Sequence, residues 1–213
     1  ISAGGRWVAF QSTADNLVPG DTNGVPDVFV RDRLTGTTER VSVAAGGRQA
    51  NGESREPVIS AGGQLVAFIS VASNLVAGDT NDVADVFVRD RATGATLRVS
   101  VGQGGVQANE TSFEPAMSPN WRFVVFTSYA SNLVAGDTDG TKDVFLRDRR
   151  TGTTERVSIA TSGAQPDMEC NSPAVSADGR YVVFWSQAST LVPGDSNGMG
   201  KVFLRDRQTG RTE

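Results

Sequence analysis

The sequence has no histidine and a single cysteine, Cys170. Without imidazole it has no histidine-ligated zinc, no Ser-His-Asp or Cys-His nucleophile and no histidine proton shuttle. One thiol cannot close an intrachain disulfide. Lysine is almost missing as well: Lys142 and Lys201 are the only two, and arginine carries the remaining positive charge. No apolar run is long enough to cross a bilayer as a helix, so no membrane insertion is expected. The formal net charge of −4 argues against a sequence-independent grip on nucleic acid phosphates. The chain opens on Ile1 rather than Met, inside a repeated segment, which suggests a processed or trimmed product.

What is present is glycine, 24 residues of it, among scattered Val, Ser and Thr, the composition of a turn-rich all-β chain. Ile1–Phe10 returns as Ile59–Phe68, Met117–Phe126 and Val175–Phe184, with a constant step of 58 residues. Asn16–Asp21 returns as Asn74–Asp79, Asn132–Asp137 and Thr190–Asp195. Asp27–Asp32 returns as Asp85–Asp90, Asp143–Asp148 and, altered at its first residue, Lys201–Asp206. The repeats are 1–58, 59–116, 117–174 and an incomplete 175–213.

Within a repeat the apolar residues alternate with period two, as half-buried strands require. In the second copy the pattern predicts strands over Glu56–Ser60, Gln64–Ser70, Asp85–Arg91 and Thr96–Val101, joined by glycine turns and one longer loop. Such a meander cannot cover both its own faces, so the units must stack linearly or radially. An inner strand containing proline, followed by the Ser-x-x-Gly turn, favours the radial arrangement. Glu114–Phe126, Ser176–Phe184 and the Asp-Val-Phe-Val-Arg-Asp strand resemble the TolB-like β-propeller repeat family. The resemblance covers the whole chain and implies a single domain over 1–213, a propeller with four blades of four antiparallel strands. It also implies a binding character, but no particular partner.

Four complete copies would need 19 more residues than the chain has. In the register of copy one these are Arg40–Val58, so the fourth blade is expected to lack its outermost strand, with the connecting segment and the start of the first inner strand. A bare strand edge invites another strand, which suggests a homo-oligomer or filament by strand addition.

The loop with chemical content is Asp21-Thr-Asn-Gly-Val-Pro-Asp27, repeated as Asp79–Asp85 and Asp137–Asp143. Oxygen ligands at loop positions one, three and seven suit a hard cation such as Ca2+, which takes six to eight oxygens. The candidate ligands are Asp21, Asn23 and Asp27; Asp79, Asn81 and Asp85; and Asp137, Asp139 and Asp143, with the position-five carbonyls of Val25, Val83 and Thr141. The loop resembles the Asp-x-Asn/Asp-x-Asp-Gly calcium loops, with glycine at position four and a strand where the EF-hand has a helix. Turn formation alone accounts for Asp, Asn and Gly, but a turn does not by itself call for the trailing aspartate. In the fourth copy Lys201 replaces that aspartate, and its ammonium is expected to pair with Asp195 and exclude a metal.

The repeated Arg-Asp pairs, Arg31-Asp32 through Arg205-Asp206, read as ion pairs across strands or between blades. The Leu-Val pairs beginning at Leu17, Leu75, Leu133 and Leu191 read as plugs under each loop, and the repeated phenylalanines as inter-blade core. Trp7, Trp121 and Trp185 stand at different repeat positions and read as packing residues. The carboxylates fall in near-identical sets, one per repeat, which is the distribution of a structural ion. A glycosidase or lyase needs carboxylates opposed across one cleft and is the alternative. The sequence therefore reads as a non-enzymatic, calcium-binding structural or binding module. Its place is extracellular or periplasmic, where calcium suits weak sites, and its partner is a protein or glycan that the residues do not identify.

Overall fold

The computed structural model describes residues 1–213, which form two compact units, Ile1–Val99 and Ser100–Glu213. All regular structure is strand apart from one short 3-10 turn, Gln103–Gly105, so no helix is long and apolar enough to cross a membrane.

The first unit holds two antiparallel meanders. One runs β1 (Trp7–Ser12), β2 (Asp27–Asp32), β3 (Thr37–Arg40), and the other β4 (Ser54–Ile59), β5 (Leu65–Ser70), β6 (Asp85–Asp90), β7 (Ala95–Arg98). The second unit repeats the plan with β8 (Ser112–Met117), β9 (Phe123–Ser128), β10 (Asp143–Asp148), β11 (Thr153–Arg156), followed by β12 (Cys170–Val175), β13 (Tyr181–Ser186), β14 (Lys201–Asp206), β15 (Arg211–Thr212). The four predicted strands of the second copy are all found, their ends displaced by at most three residues. The strand count needs one correction. The fourth sheet does begin its outermost strand, as the two-residue β15, whereas the first sheet has three strands and no counterpart of β4.

The inner strands owe their shape to proline. Each is bulged at a residue of positive φ, Glu56 (51°), Glu114 (50°) or Ser172 (52°), immediately before Pro57, Pro115 or Pro173. Proline cannot donate to a ladder, and a bulge on an edge strand is where a sheet tolerates it.

Cross-strand phenylalanines stack in every sheet, Phe10 on Phe29, Phe68 on Phe87, Phe126 on Phe145 and Phe184 on Phe203, with ring centres 5.8–5.9 Å apart. In the first unit Val28, Val30 and Val41 of one sheet pack against Val66, Phe68 and Phe87 of the next. In the second, Phe123, Val125 and Leu146 pack against Val182, Phe184 and Phe203. Leu75 and Leu191 are buried in these seams, as expected of plugs. Burial at this density is what lets short meanders persist, since a sheet with one bare face is only marginally stable.

Candidate metal loops

Each Asp-rich loop ends on a strand: Asp27, Asp85 and Asp143 are the first residues of β2, β6 and β10, and all three are fully buried. A buried carboxylate needs donors around it. Ser42 donates its hydroxyl to Asp27 at 2.5 Å, and Ser158 donates to Asp143 at the same distance.

The sequence reading brings loop positions one and seven together, and the structure does so in all three loops. The charge between them, however, is a guanidinium. Arg40 Nη1 lies 2.9 Å from Asp21 and 3.4 Å from Asp27, Arg98 Nη1 3.0 Å from Asp79 and 3.1 Å from Asp85, and Arg156 Nη1 3.1 Å from Asp137 and 3.0 Å from Asp143. Each arginine ends the strand that pairs with the loop's own strand, and its Nε is buried without a partner. These arginines and the serines two residues on were missed in the sequence. Their signal was there: Arg-Val-Ser recurs at 40–42, 98–100 and 156–158 on the same 58-residue step. They also give the trailing aspartate a role in the fold that turn formation does not.

Position three separates the loops. Asn23 donates from Nδ2 to Asp27 at 2.9 Å and Asn81 to Asp85 at 3.2 Å, while their Oδ1 atoms accept from the backbone N–H of Val25 (3.2 Å) and Val83 (3.4 Å). In the third loop this residue is Asp139, which has no proton to give. Its Oδ1 accepts from the Thr141 N–H at 3.1 Å and hydroxyl at 3.0 Å, and its Oδ2 is buried without a hydrogen-bond partner. One carboxylate oxygen from each of Asp137, Asp139 and Asp143 lies within 4.8 Å of the others. With one arginine in each loop, the first two hold two carboxylates at positions one, three and seven and the third holds three, the second loop's further Asp82 being exposed. Burial pushes the Asp143 carboxyl up to about 6 against the opposing pull of Ser158 and Arg156, and the Asp139 charge adds to the rise. Burial, and again Asp139, also raises Asp137.

In the fourth loop Lys201 contacts Asp195 and Asn197, so its ammonium stands where the other loops hold a carboxylate, as the sequence indicated. Thr190, which replaces the repeated Asn, donates to the Gln165 carbonyl at 3.0 Å, just as Asn74 donates to that of Gln49 at 2.9 Å.

The Arg-Asp repeats resolve only in part as ion pairs: Arg31, Arg89, Arg147 and Arg205 donate instead to the Thr38, Thr96, Thr154 and Thr212 hydroxyls at 3.0–3.1 Å, and the aspartates find other partners. Asp32, Asp148 and Asp206 pair with Arg6, Arg122 and Arg180 at 2.6–2.7 Å, and Gln64 replaces the arginine beside Asp90 at 3.2 Å. Trp7 is a packing residue, with Arg6 and Arg91 over its ring at 4.5 and 4.0 Å, whereas Trp185 is 36% exposed. The Cys170 thiol is buried and pushed up to about 12 by that burial.

Four antiparallel meanders on a fixed 58-residue repeat, two in each unit, define an all-β protein of the β-propeller class with four blades. No family model matches the sequence, and no curated protein matches it. Among solved structures, the chain is similar to TolB from Acinetobacter baumannii at 20% identity and a TM-score of 0.55, over 100% of this chain and 41% of that one. It is similar also to a putative TolB from Agrobacterium tumefaciens at 18% identity and 0.61, over 100% and 62%. The tricorn protease aligns at 15% identity and 0.57, over 96% of this chain and 17% of that one. At such identities the likeness establishes the fold and nothing finer, and this chain spans between 41% and 62% of the length of the TolB structures.

Proposed function

We propose that the chain is a structural or binding module of the TolB-like propeller type, working outside the cytoplasm, whose third loop holds a divalent cation of the calcium kind. The observation that carries the metal is Asp139. It places a third carboxylate, one oxygen of it buried and unpartnered, beside Asp137 and Asp143. A hard cation supplies what Arg156 alone does not, and oxygen is the ligand it prefers. Asp137, Asp139, Asp143 and the carbonyl of Thr141 would hold it.

In the first two loops Arg40 and Arg98 already stand between the acids, and Asn23 and Asn81 turn their amide nitrogens toward Asp27 and Asp85. A guanidinium stands in all three loops, but these two have no third carboxylate at position three, so they are structural ion pairs that bind metal weakly or not at all. Acids matched locally by arginines, sheet by sheet, favour a module over a carboxylate enzyme. The partner is a protein or glycan surface.

Calorimetric titration of the chelator-treated chain with calcium, and separately with magnesium, tests the reading. One calcium per chain is expected, abolished by Asp139→Asn. Heat at three equivalent sites would restore the broader calcium reading, and no heat at all would remove the metal.

A further inference from the structure

In the first unit the Asp-rich loop is tied by amide hydrogens to the segment that leads into the second sheet. One nitrogen, Asn23 Nδ2, reaches Asp27 at 2.9 Å and the Ala50 carbonyl at 3.1 Å. Gln49 Nε2 donates to Asp21 at 2.9 Å, and the Thr22 N–H donates back to Gln49 Oε1 at 3.4 Å. Ala50 is buried in the seam between the two sheets, in one cluster with Val28, Val66 and Phe68. Two neutral side-chain amides thus serve the oxygens of the loop acids and of the seam.

In the second unit the third loop meets the corresponding segment, but both of those donors are gone. Thr138 donates its N–H to Gln165 Oε1 at 3.1 Å, the contact that Thr22 makes with Gln49, so the segment docks in the same way. Gln165 turns its amide nitrogen to the Thr138 hydroxyl instead, at 2.9 Å, and gives Asp137 nothing. Asp139 has no amide hydrogen for Asp143 or for the carbonyl of Pro166, the copy of Ala50. Pro166 is buried, and four residues on, at the start of β12, the Cys170 N–H donates to the Lys142 carbonyl at 2.7 Å. The third loop and the fourth sheet are therefore in direct contact, and Asp139 Oδ2, the oxygen that replaces the amide, is buried without a partner.

We propose that the cation of the third loop is shared across this seam, with the Pro166 carbonyl completing the ligand set begun by Asp137, Asp139 and Asp143. The inference rests on the metal reading above and adds what the ion does there. Oxygens that have lost their donors at one place are what a hard cation, ligated by carboxylates and backbone carbonyls, gathers. The ion then takes the part that Asn23 and Gln49 play in the first unit, and it staples the fourth sheet to the third. Closure of this seam is calcium-dependent, whereas the seam of the first unit closes without metal.

Cys170, the one thiol of the chain and fully buried, reports on the seam. The test is its rate of maleimide labelling in the native chain, in calcium and in chelator, beside a calorimetric titration with calcium. With calcium at about ten times its Kd, an opening that releases the ion becomes about tenfold rarer, and labelling should slow to match. Asp139→Asn restores the amide of the first loop, so in chelator it should label about as slowly as calcium-loaded wild type, and calcium should leave its rate unchanged. The control moves the thiol to the other seam, as Cys170→Ser with Ser54→Cys, Ser54 being the buried copy of Cys170 at the start of β4. Its rate should not respond to calcium. Calcium heat without slower Cys170 labelling, or equal slowing at both seams, overturns the staple and leaves the metal site standing. A Cys170 thiol that stays unlabelled in chelator also overturns it, because the seam then closes without the ion. Absence of calcium heat removes the metal reading itself, and the staple with it.

Discussion

Ser158 donates its hydroxyl to Asp143 at 2.5 Å and accepts the Val144 N–H at 2.9 Å. It thereby ties the end of the third loop to the segment beyond the sheet's outermost strand. Asp143 is fully buried, so this bond replaces water that the carboxylate has lost. Ser158→Ala should cost about 1–3 kcal/mol, the penalty for a buried polar group left short of a partner. Urea denaturation with an unchanged m-value measures it, and Ser162→Ala, at an exposed site, serves as the control. A loss no greater than that control would mean that Arg156 alone satisfies the carboxylate.

On the proposed reading, position three decides whether a loop takes metal. Asn23→Asp copies the third loop into the first, and Asp139→Asn does the reverse. In melts with millimolar calcium against chelator, the first variant should gain a second metal-dependent rise in Tm and the second should lose the rise expected of the wild type. If Asn23→Asp shows no additional rise, Arg40 is holding the loop against the ion.

Much of this could be read from the residues before any coordinates, and the reasons for the exceptions are physical. The 58-residue step, the period-two strands and the lysine in the fourth loop are local signals, visible wherever neighbours in sequence are neighbours in space. The partners of the acids were not visible in that way. Arg40 reaches Asp27 from thirteen residues along, and Ser42 from fifteen, across a strand pair whose register sets the contact. A loop read alone therefore looks like an open cage of oxygens, although the fold has already put a cation in it. The misplaced missing strand has a similar origin: counting residues gives the deficit, but only pairing shows that Arg211–Thr212 completes one sheet's order while β1 begins another's.

Removing that built-in cation should be severe. Arg98→Met leaves Asp79 and Asp85 facing each other with side chains 5% and 0% exposed. Breaking a buried pair from one side costs about 3–5 kcal/mol. If guanidinium and metal compete for one place, millimolar calcium should recover part of the lost Tm in this variant while leaving wild-type loop two unaffected. Equal Tm values with calcium and chelator would show that the vacated space does not suit the ion.

Asp148 supplies a pH signature away from the loops. The hydrogen bond from Arg122 is the largest cause holding its carboxyl down at about 2, with further help from the Arg150 and Thr151 amides. A carboxylate depressed in the fold contributes stability that is full above its unfolded value near 4 and is lost as pH falls through its folded value. Between pH ~4 and ~2 the wild type should therefore lose stability more steeply than Asp148→Asn. A carboxyl-carbon NMR titration should place the Asp148 midpoint near the bottom of that window, and a midpoint near 4 would mean the Arg122 contact does not persist in solution.

The approach of the Phe123 ring to the Gly179 turn makes a last, purely steric prediction. Gly179 has φ of +73°, and a Cβ there would lie 2.2 Å from the Phe123 ring, whereas Gly163 has φ of +85° with nothing within 4 Å. Alanine at either position bears the left-handed backbone cost of about 1–2 kcal/mol. Only Gly179→Ala must also push the ring away from the seam, adding roughly 1–3 kcal/mol of overpacking. The difference between the two variants in denaturant melts isolates the close approach from the backbone strain. It should fall by more than half in Phe123→Leu, where no ring opposes the new methyl. Equal losses for Gly179→Ala and Gly163→Ala would show that the aromatic-on-glycine contact is loose.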